Sequence, residues 1–284
     1  MLEIATFYHQ LLAGVTEKNL TLDEAMEQIR SHAITKVDVN SEYLLEEEPE
    51  FFAKRLRSHG IGIVSVHGIV PCDEKSKESY ESSVAEMKNR IALAKRAGSE
   101  FFMLVPNKAE SFSEDDYEKY ADGVLKLIGE CGAYAKEIGS QATVENFSRR
   151  DFPYTSFEGI EKILKTFPHI RYTYDSGNYT LAGFNEMVGV KIFCDKTVYA
   201  HLKEFKPSES ETPYLWDEVY YEKVPFGDGI VRNYEAVEYL IKKGYRGDFA
   251  VELYDTKNVF DNTLISADRL KEKIEQIKKE VGIE

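Results

Sequence analysis

The sequence predicts an α/β protein, a single (β/α)8 barrel spanning residues 1–284. Three observations predict it. A short strand-like run followed by a helical pattern recurs eight times, which implies a parallel sheet and, with eight units, closure into a barrel. Glycine ends several helical patterns just before the next strand, the expected helix stop. The 284 residues, 43% of them hydrophobic, suit one sizeable core, and no low-complexity linker divides them.

The strand candidates in order are 2–6 "LEIAT", 35–40 "TKVDVN", 61–67 "IGIVSVH", 100–105 "EFFMLV", 141–146 "QATVEN", 170–175 "IRYTYD", 197–202 "TVYAHL" and 248–254 "DFAVELY". Helical patterns lie between them, among them 21–32, 79–98 and 114–139. In the last, Val124, Leu125, Ile128, Cys131 and Tyr134 recur at helical spacing. The glycine stops are "SHG" (58–60), "RAG" (96–98), "EIG" (137–139) and "KKG" (242–244). An open doubly wound sheet is the structural alternative. To bind a dinucleotide it would need a glycine-rich first turn, and "FYHQLLAG" is not one.

The net charge of −14 argues against a nucleic-acid partner, because backbone binding requires a basic surface. No apolar run approaches the roughly 20 residues that span a bilayer. The opening "MLEIATFYHQ" has no basic region followed by an apolar run, so neither a signal peptide nor a membrane partner is expected. Cys72, Cys131 and Cys194 are odd in number and far apart, which suits free thiols in a reducing, cytoplasmic setting. No CxxC pair offers a thiolate zinc site. The acidic run "EEEPE" (46–50) reads as a solvated helix start.

Alternation along the strands separates two faces. Val37, Val39, Val64, Val66, Val144, Val251 and Leu253 form the expected helix-facing set. The inward set is polar: Asp38 and Asn40, Ser65 and His67, Thr143 and Glu145, Thr173 and Asp175, Tyr199 and His201, Ala250 and Glu252. Glu145, Asp175, His201 and Glu252 thus converge at the C-terminal ends of strands five to eight, the catalytic end of such barrels. Three carboxylates so close would repel and raise one another's pKa, and a divalent cation removes that conflict. Three oxygen ligands and one imidazole suit Mn²⁺, the expected ion, and also Mg²⁺, Co²⁺ or Zn²⁺. The competing view, four separately hydrogen-bonded polar groups, needs four coincidences on consecutive strands.

Other residues carry paired readings. His67 bonds a substrate hydroxyl or is a satisfied structural histidine. Lys203 shares the face of His201 and either meets a substrate oxyanion or phosphate or forms an ion pair at the rim. "FGDGIVRN" (226–233) is read as a turn with Asn233 as a helix cap, in preference to a phosphate contact. Trp216, Tyr214, Tyr220 and Tyr221 follow strand seven as a lid, an apolar wall or a homo-oligomer contact. His9, His32, His59 and His169 are read as surface or packing residues.

"TVEN" (143–146), "YDSGN" (174–178), "YAHLKEF" (199–205), "FGDG" (226–229) and "VELY" (251–254) fall in order along the chain. This pattern resembles the xylose isomerase-like sugar phosphate isomerase/epimerase superfamily of TIM barrels. Its members include ketose 3-epimerases, hydroxypyruvate isomerase, inosose dehydratase and endonuclease IV. The resemblance implies Glu145, Asp175, His201 and Glu252 as metal ligands, with Glu145 and Glu252 also exchanging the substrate proton. His67, Asn178 and Lys203 are the expected substrate-binding residues. Two departures are visible. Asn178 stands where the epimerase pattern has a histidine, and Phe205, Lys206 and Pro207 follow "HLKE" where the epimerases place an arginine.

The expected activity is therefore a divalent-metal-dependent isomerase or epimerase of a sugar, sugar phosphate or related polyol, working through a metal-stabilised enediolate. An inosose-type dehydratase using the same site is the alternative. An AP endonuclease-like barrel fits less well, since that chemistry uses three zinc ions and many histidines. Only two of the six histidines here are read as facing the barrel interior. A non-catalytic sugar-binding barrel is the remaining reading.

Overall fold

The eight runs pair side by side in parallel, and the pairing closes. A computed structural model describes residues 2–110, 112–212 and 214–282. Its strands are β1 (Ile4–Phe7), β2 (Ile34–Asn40), β3 (Gly62–Cys72), β4 (Phe101–Lys108), β5 (Gln141–Glu145), β6 (Arg171–Asp175), β7 (Thr197–Leu202), β8 (Phe205–Pro207), β9 (Tyr214–Trp216), β10 (Val219–Lys223) and β11 (Asp248–Val251). Around the barrel the order is β1, β2, β3, β4, β5, β6, β7, β11 and back to β1. The connection between β7 and β11 carries its own antiparallel sheet, in the order β8–β10–β9.

Helices form where the sequence supplies both an apolar stripe and end signals. Thr21 caps Leu22–Ser31: its Oγ1 accepts from the Glu24 amide at 3.2 Å, and its own amide donates to Glu24 Oε2 at 2.8 Å. Lys77–Ala97 ends at Gly98, whose φ of +77° places it in the left-handed region glycine favours. Met87, Ile91 and Ala94 of that helix are buried, as are Val124, Leu127, Ile128 and Cys131 of Tyr117–Glu137. Each large one contributes about 1.5–3 kcal/mol by leaving water. All three cysteines are free thiols. Among the described residues, no helix is long and apolar enough to cross a membrane.

Three local readings need correction. Val64 does not join the helix-facing set. The β2–β3 register shifts between Val37 and Asp38, and Val64 packs inside the barrel with Ala5, Phe7, Tyr199 and Ala250. β3 and β4 run on past the expected ends as a two-stranded ribbon, with Gly68 opposite Leu104 and Cys72 opposite Lys108. Gly68 and Pro71 look like breakers in isolation, but pairing with β4 overrides them. The last strand stops at Val251, so Glu252 lies one residue beyond it. Its amide still donates to the Leu202 carbonyl at 3.3 Å, which keeps it in register with β7.

The N-terminal end of the barrel is closed by charge. Lys36 Nζ lies 3.0 Å from Glu3, 2.6 Å from Glu100 and 2.7 Å from Asp248. Burial pulls the Lys36 pKa down, but hydrogen bonds to these carboxylates raise it above the ordinary lysine value.

Candidate metal centre

At the opposite end each acidic residue arrives for a local reason. Glu145 is the last residue of β5. Asn146 follows it and ties β5 to β6: its Oδ1 accepts from the Asp175 amide at 2.9 Å, and its Nδ2 donates to the Asp175 carbonyl at 2.8 Å. Asp175 ends β6 and caps the short helix Ser176–Leu181, Oδ1 accepting from the Asn178 amide at 2.8 Å. That leaves Oδ2 for the site. His201 sits opposite Asp175 in the β6–β7 register. Glu145, Asp175, His201 and Glu252 are all buried, and each offers one ligand atom within 4.8 Å of all the others.

Two cationic side chains stand among the carboxylates. His201 Nδ1 bonds Glu145 Oε1 and lies 3.4 Å from Glu252 Oε2 and 3.9 Å from Asp175 Oδ2. Lys203 Nζ donates to Asp175 Oδ2 and, at 3.2 Å, to Asn178 Oδ1, and lies 3.1 Å from Glu252 Oε2. Burial opposes a charge on His201, but Glu145, Asp38 and Glu252 prevail and push its pKa up to about 10. Burial likewise opposes the Lys203 charge, and Asp175 and Glu252 hold it well above the ordinary lysine value. Burial raises the Asp175 carboxyl despite the adjacent lysine.

The donor set fits a divalent cation. Three ionised carboxylates and one ammonium leave two negative charges, which one divalent ion cancels when His201 is neutral. One candidate ligand atom, Glu252 Oε2, is also buried with no well-directed hydrogen-bond partner. Glu252 Oε2 has Lys203 nearby, but not along a hydrogen-bonding direction. Unsatisfied buried polar atoms are rare and indicate a missing partner.

Glu145, His201 and Glu252 line a cavity of about 490 Å³, with Asp175 behind them. His67 lines it, as do Asn178 and Lys203, so all three expected substrate-binding residues face this space. Lys203 is not at the rim, however. It is 4% exposed, and its ammonium is occupied by Asp175, Asn178 and Glu252. Asn178 gives its Nδ2 to the Asn146 carbonyl at 2.9 Å. His67 Nδ1 bonds Asp38 Oδ1 at 2.6 Å.

Some functional residues escaped the sequence reading. His9 is not a mere packing residue: it lines the cavity, its Nε2 lies 3.1 Å from the Leu253 carbonyl, and its ring meets Tyr254 edge-on. It is the second residue of the helix Tyr8–Lys18 that starts directly after β1, so strand alternation does not reach it. His32 and His59 pair with Asp268 and Asp23 near the surface. In "FGDGIVRN" the amides of Gly227 and Val231 donate to Glu204 at 3.1 and 2.9 Å. They are therefore engaged within the fold, as the turn reading requires. Asn233 does not cap: it is the first helical residue, and its side chain bonds Ser176, Glu204 and the Lys203 carbonyl. Of the aromatics after β7, Tyr214 reaches Tyr254 (ring centroids 6.4 Å apart), and Tyr254 forms the cavity wall.

Comparison with known proteins agrees with this fold. A family model described as xylose isomerase-like TIM barrel matches residues 24–280. The Escherichia coli (strain K12) protein named "Putative L-ribulose-5-phosphate 3-epimerase SgbU" is 24% identical over 208 residues, covering 70% of this chain and 68% of its own. Among solved structures, a D-tagatose 3-epimerase-like protein superposes with a TM-score of 0.75 at 18% identity, covering 99% of this chain and all of its own. The IolI protein with a bound zinc atom superposes with a TM-score of 0.71 at 17% identity, covering 98% of this chain and 99% of its own.

Proposed function

The chain belongs to the xylose isomerase-like TIM-barrel family, and we propose that within it the chain is a divalent-metal-dependent isomerase or epimerase of a sugar or related polyol. The observation that carries the reading is the buried four-residue donor set, three members of which line the cavity. Glu145, Asp175, His201 and Glu252 would hold the cation. When bound, it supplies Lewis acidity that stabilises negative charge developing on substrate oxygens. Mn²⁺ is the proposed ion.

Glu145 and Glu252 move the proton. They stand on barrel positions separated by β6 and β7, so they flank whatever lies over His201. One carboxylate takes the proton from the carbon beside a carbonyl. The other returns it to the opposite face in an epimerase, or the first carries it to the neighbouring carbon in an isomerase. Lys203 orients Asp175 through its hydrogen bond and stands beside Glu252. His67 accepts from a substrate hydroxyl, and Asn178 holds Lys203 in place. Phe7, Phe147 and Tyr254 wall the cavity and exclude water.

The cavity favours an uncharged substrate. Among the described lining residues Lys203 is the sole lysine or arginine, two of its three donors are already in use, and its charge lies against Asp175 and Glu252. A phosphate would enter without a free cationic partner. The decisive experiment is a screen of Mn²⁺-loaded protein in D₂O against ketoses, ketose phosphates and inososes. Deuterium uptake at carbon from an unphosphorylated substrate, lost in E145Q and E252Q, supports the reading. Uptake unaffected by both substitutions overturns it, and a product lighter by one water assigns a dehydratase instead.

A further inference from the structure

Asp38 lies on β2, across the barrel interior from His201, with β1 and β11 between their strands. It is fully buried, where an unpaired carboxylate is costly. Its two oxygens face two different imidazoles. Oδ1 is 2.6 Å from His67 Nδ1, and Oδ2 is 3.5 Å from His201 Nε2. Oδ2 and His201 Nε2 are both buried without another hydrogen-bond partner, and they face each other across that 3.5 Å. Phe7 packs on both rings, its centroid 5.7 Å from His67 and 5.0 Å from His201, and restricts their rotation.

A neutral imidazole carries one N–H and one lone pair. All three carboxylates of the centre face Nδ1 of His201. A cation held with them therefore needs the lone pair on Nδ1, and the N–H must sit on Nε2, facing Asp38. The same carboxylate selects the tautomer of His67: an N–H on Nδ1 leaves Nε2 as the acceptor. We propose that Asp38 is a positioning residue for both imidazoles, presenting His201 Nδ1 to the metal and His67 Nε2 to a substrate hydroxyl. A carboxylate behind a metal-bound histidine typically contributes about 10–100-fold to metal affinity. Here one carboxylate would orient a ligand on the floor and a binding group on the wall. This inference rests on the metal reading given above.

The test uses full-length protein carrying ¹⁵N-histidine and loaded with Zn²⁺, which is diamagnetic. Two-dimensional ¹H–¹⁵N spectra of wild type should show His201 protonated at Nε2 and His67 at Nδ1. Zn²⁺ titration of D38A and D38N should show affinity lowered by about 10–100-fold. Asn has a single carbonyl oxygen and serves one imidazole at most, so D38N should also shift the tautomer of at least one ring. Wild-type spectra with His201 protonated at Nδ1 would overturn the proposal, and they stand even if D38A does not fold. Folded D38A and D38N with wild-type Zn²⁺ affinity and tautomers would overturn it while leaving the metal centre intact. A wild-type protein that takes up no Zn²⁺ would overturn the metal reading, and the His201 role with it.

Discussion

At the N-terminal end of the barrel Lys36 stands among Glu3, Glu100 and Asp248; at the C-terminal end His201 and Lys203 stand among Glu145, Asp175 and Glu252. Each end gathers three carboxylates around cationic side chains. At the first, none of these side-chain atoms is buried without a partner. Two of the carboxylates there are partly open to solvent, and the ammonium meets all three. At the second, Glu252 Oε2 and His201 Nε2 are buried and unsatisfied, and the cluster opens on a cavity. An acidic cluster therefore does not by itself define a site. What separates the two ends is unsatisfied direction in buried atoms beside space for a ligand.

Substitutions can break this comparison. The largest effect belongs to the carboxylates of the cavity: E145Q or E252Q should lower substrate C–H exchange in D₂O by about 10²–10⁴-fold, the range general acid–base groups contribute. Exchange within a few-fold of wild type in either would remove that residue from proton transfer. At the other end, K36M should cost about 3 kcal/mol of stability in urea unfolding. That is the lower end for breaking a buried ion pair, because Glu3 and Glu100 remain partly solvated. Its metal affinity should equal wild type; a loss would mean that the two ends are not independent.

Metal should stabilise one end alone. Free Mn²⁺ at a hundred times its Kd should raise wild-type and K36M stability by about 2.7 kcal/mol, and D175A should gain nothing. Thermal unfolding with and without chelator measures this.

The smallest effect concerns a third lysine, which sharpens the contrast because its neighbours are tyrosines and not carboxylates. Lys223 is 2% exposed, bonds the Tyr214 hydroxyl at 2.7 Å and has no carboxylate within ion-pair distance among the described residues. Burial drives its pKa down to about 6, against the pull of Glu252. Between that value and the unfolded value near 10.5 the unfolded chain binds the extra proton, so this group's penalty on stability falls as pH rises. K223M should therefore be more stable than wild type by on the order of 1 kcal/mol at pH 6, the gap closing toward pH 10. A gap that widens with pH would contradict the assignment.

Much of this was legible in the sequence. Strand alternation brought Glu145, Asp175, His201 and Glu252 to one face, because a period of two is a local property. The glycine stops were legible for the same reason: Gly60 and Gly98 both adopt the positive φ that their positions require. The unread features depend on contacts between distant segments. Asp38 was visible as an inward polar residue, but its bridge between His67 and His201 spans the barrel, and no spacing encodes it. Lys203 was left between a substrate contact and a rim ion pair, because its burial depends on Asn178 and Glu252 arriving from other segments. The β3–β4 ribbon was hidden by Gly68 and Pro71, whose local preferences pairing overrules.

The central claim is that the C-terminal cluster holds one divalent cation and the N-terminal cluster none. Titration of chelated, full-length protein with Mn²⁺, followed by calorimetry, tests it most directly. The account predicts one ion per chain for wild type and K36M, and loss of that binding in D175A and H201A. No binding by wild type, or full stoichiometry and affinity in both D175A and H201A, would contradict it.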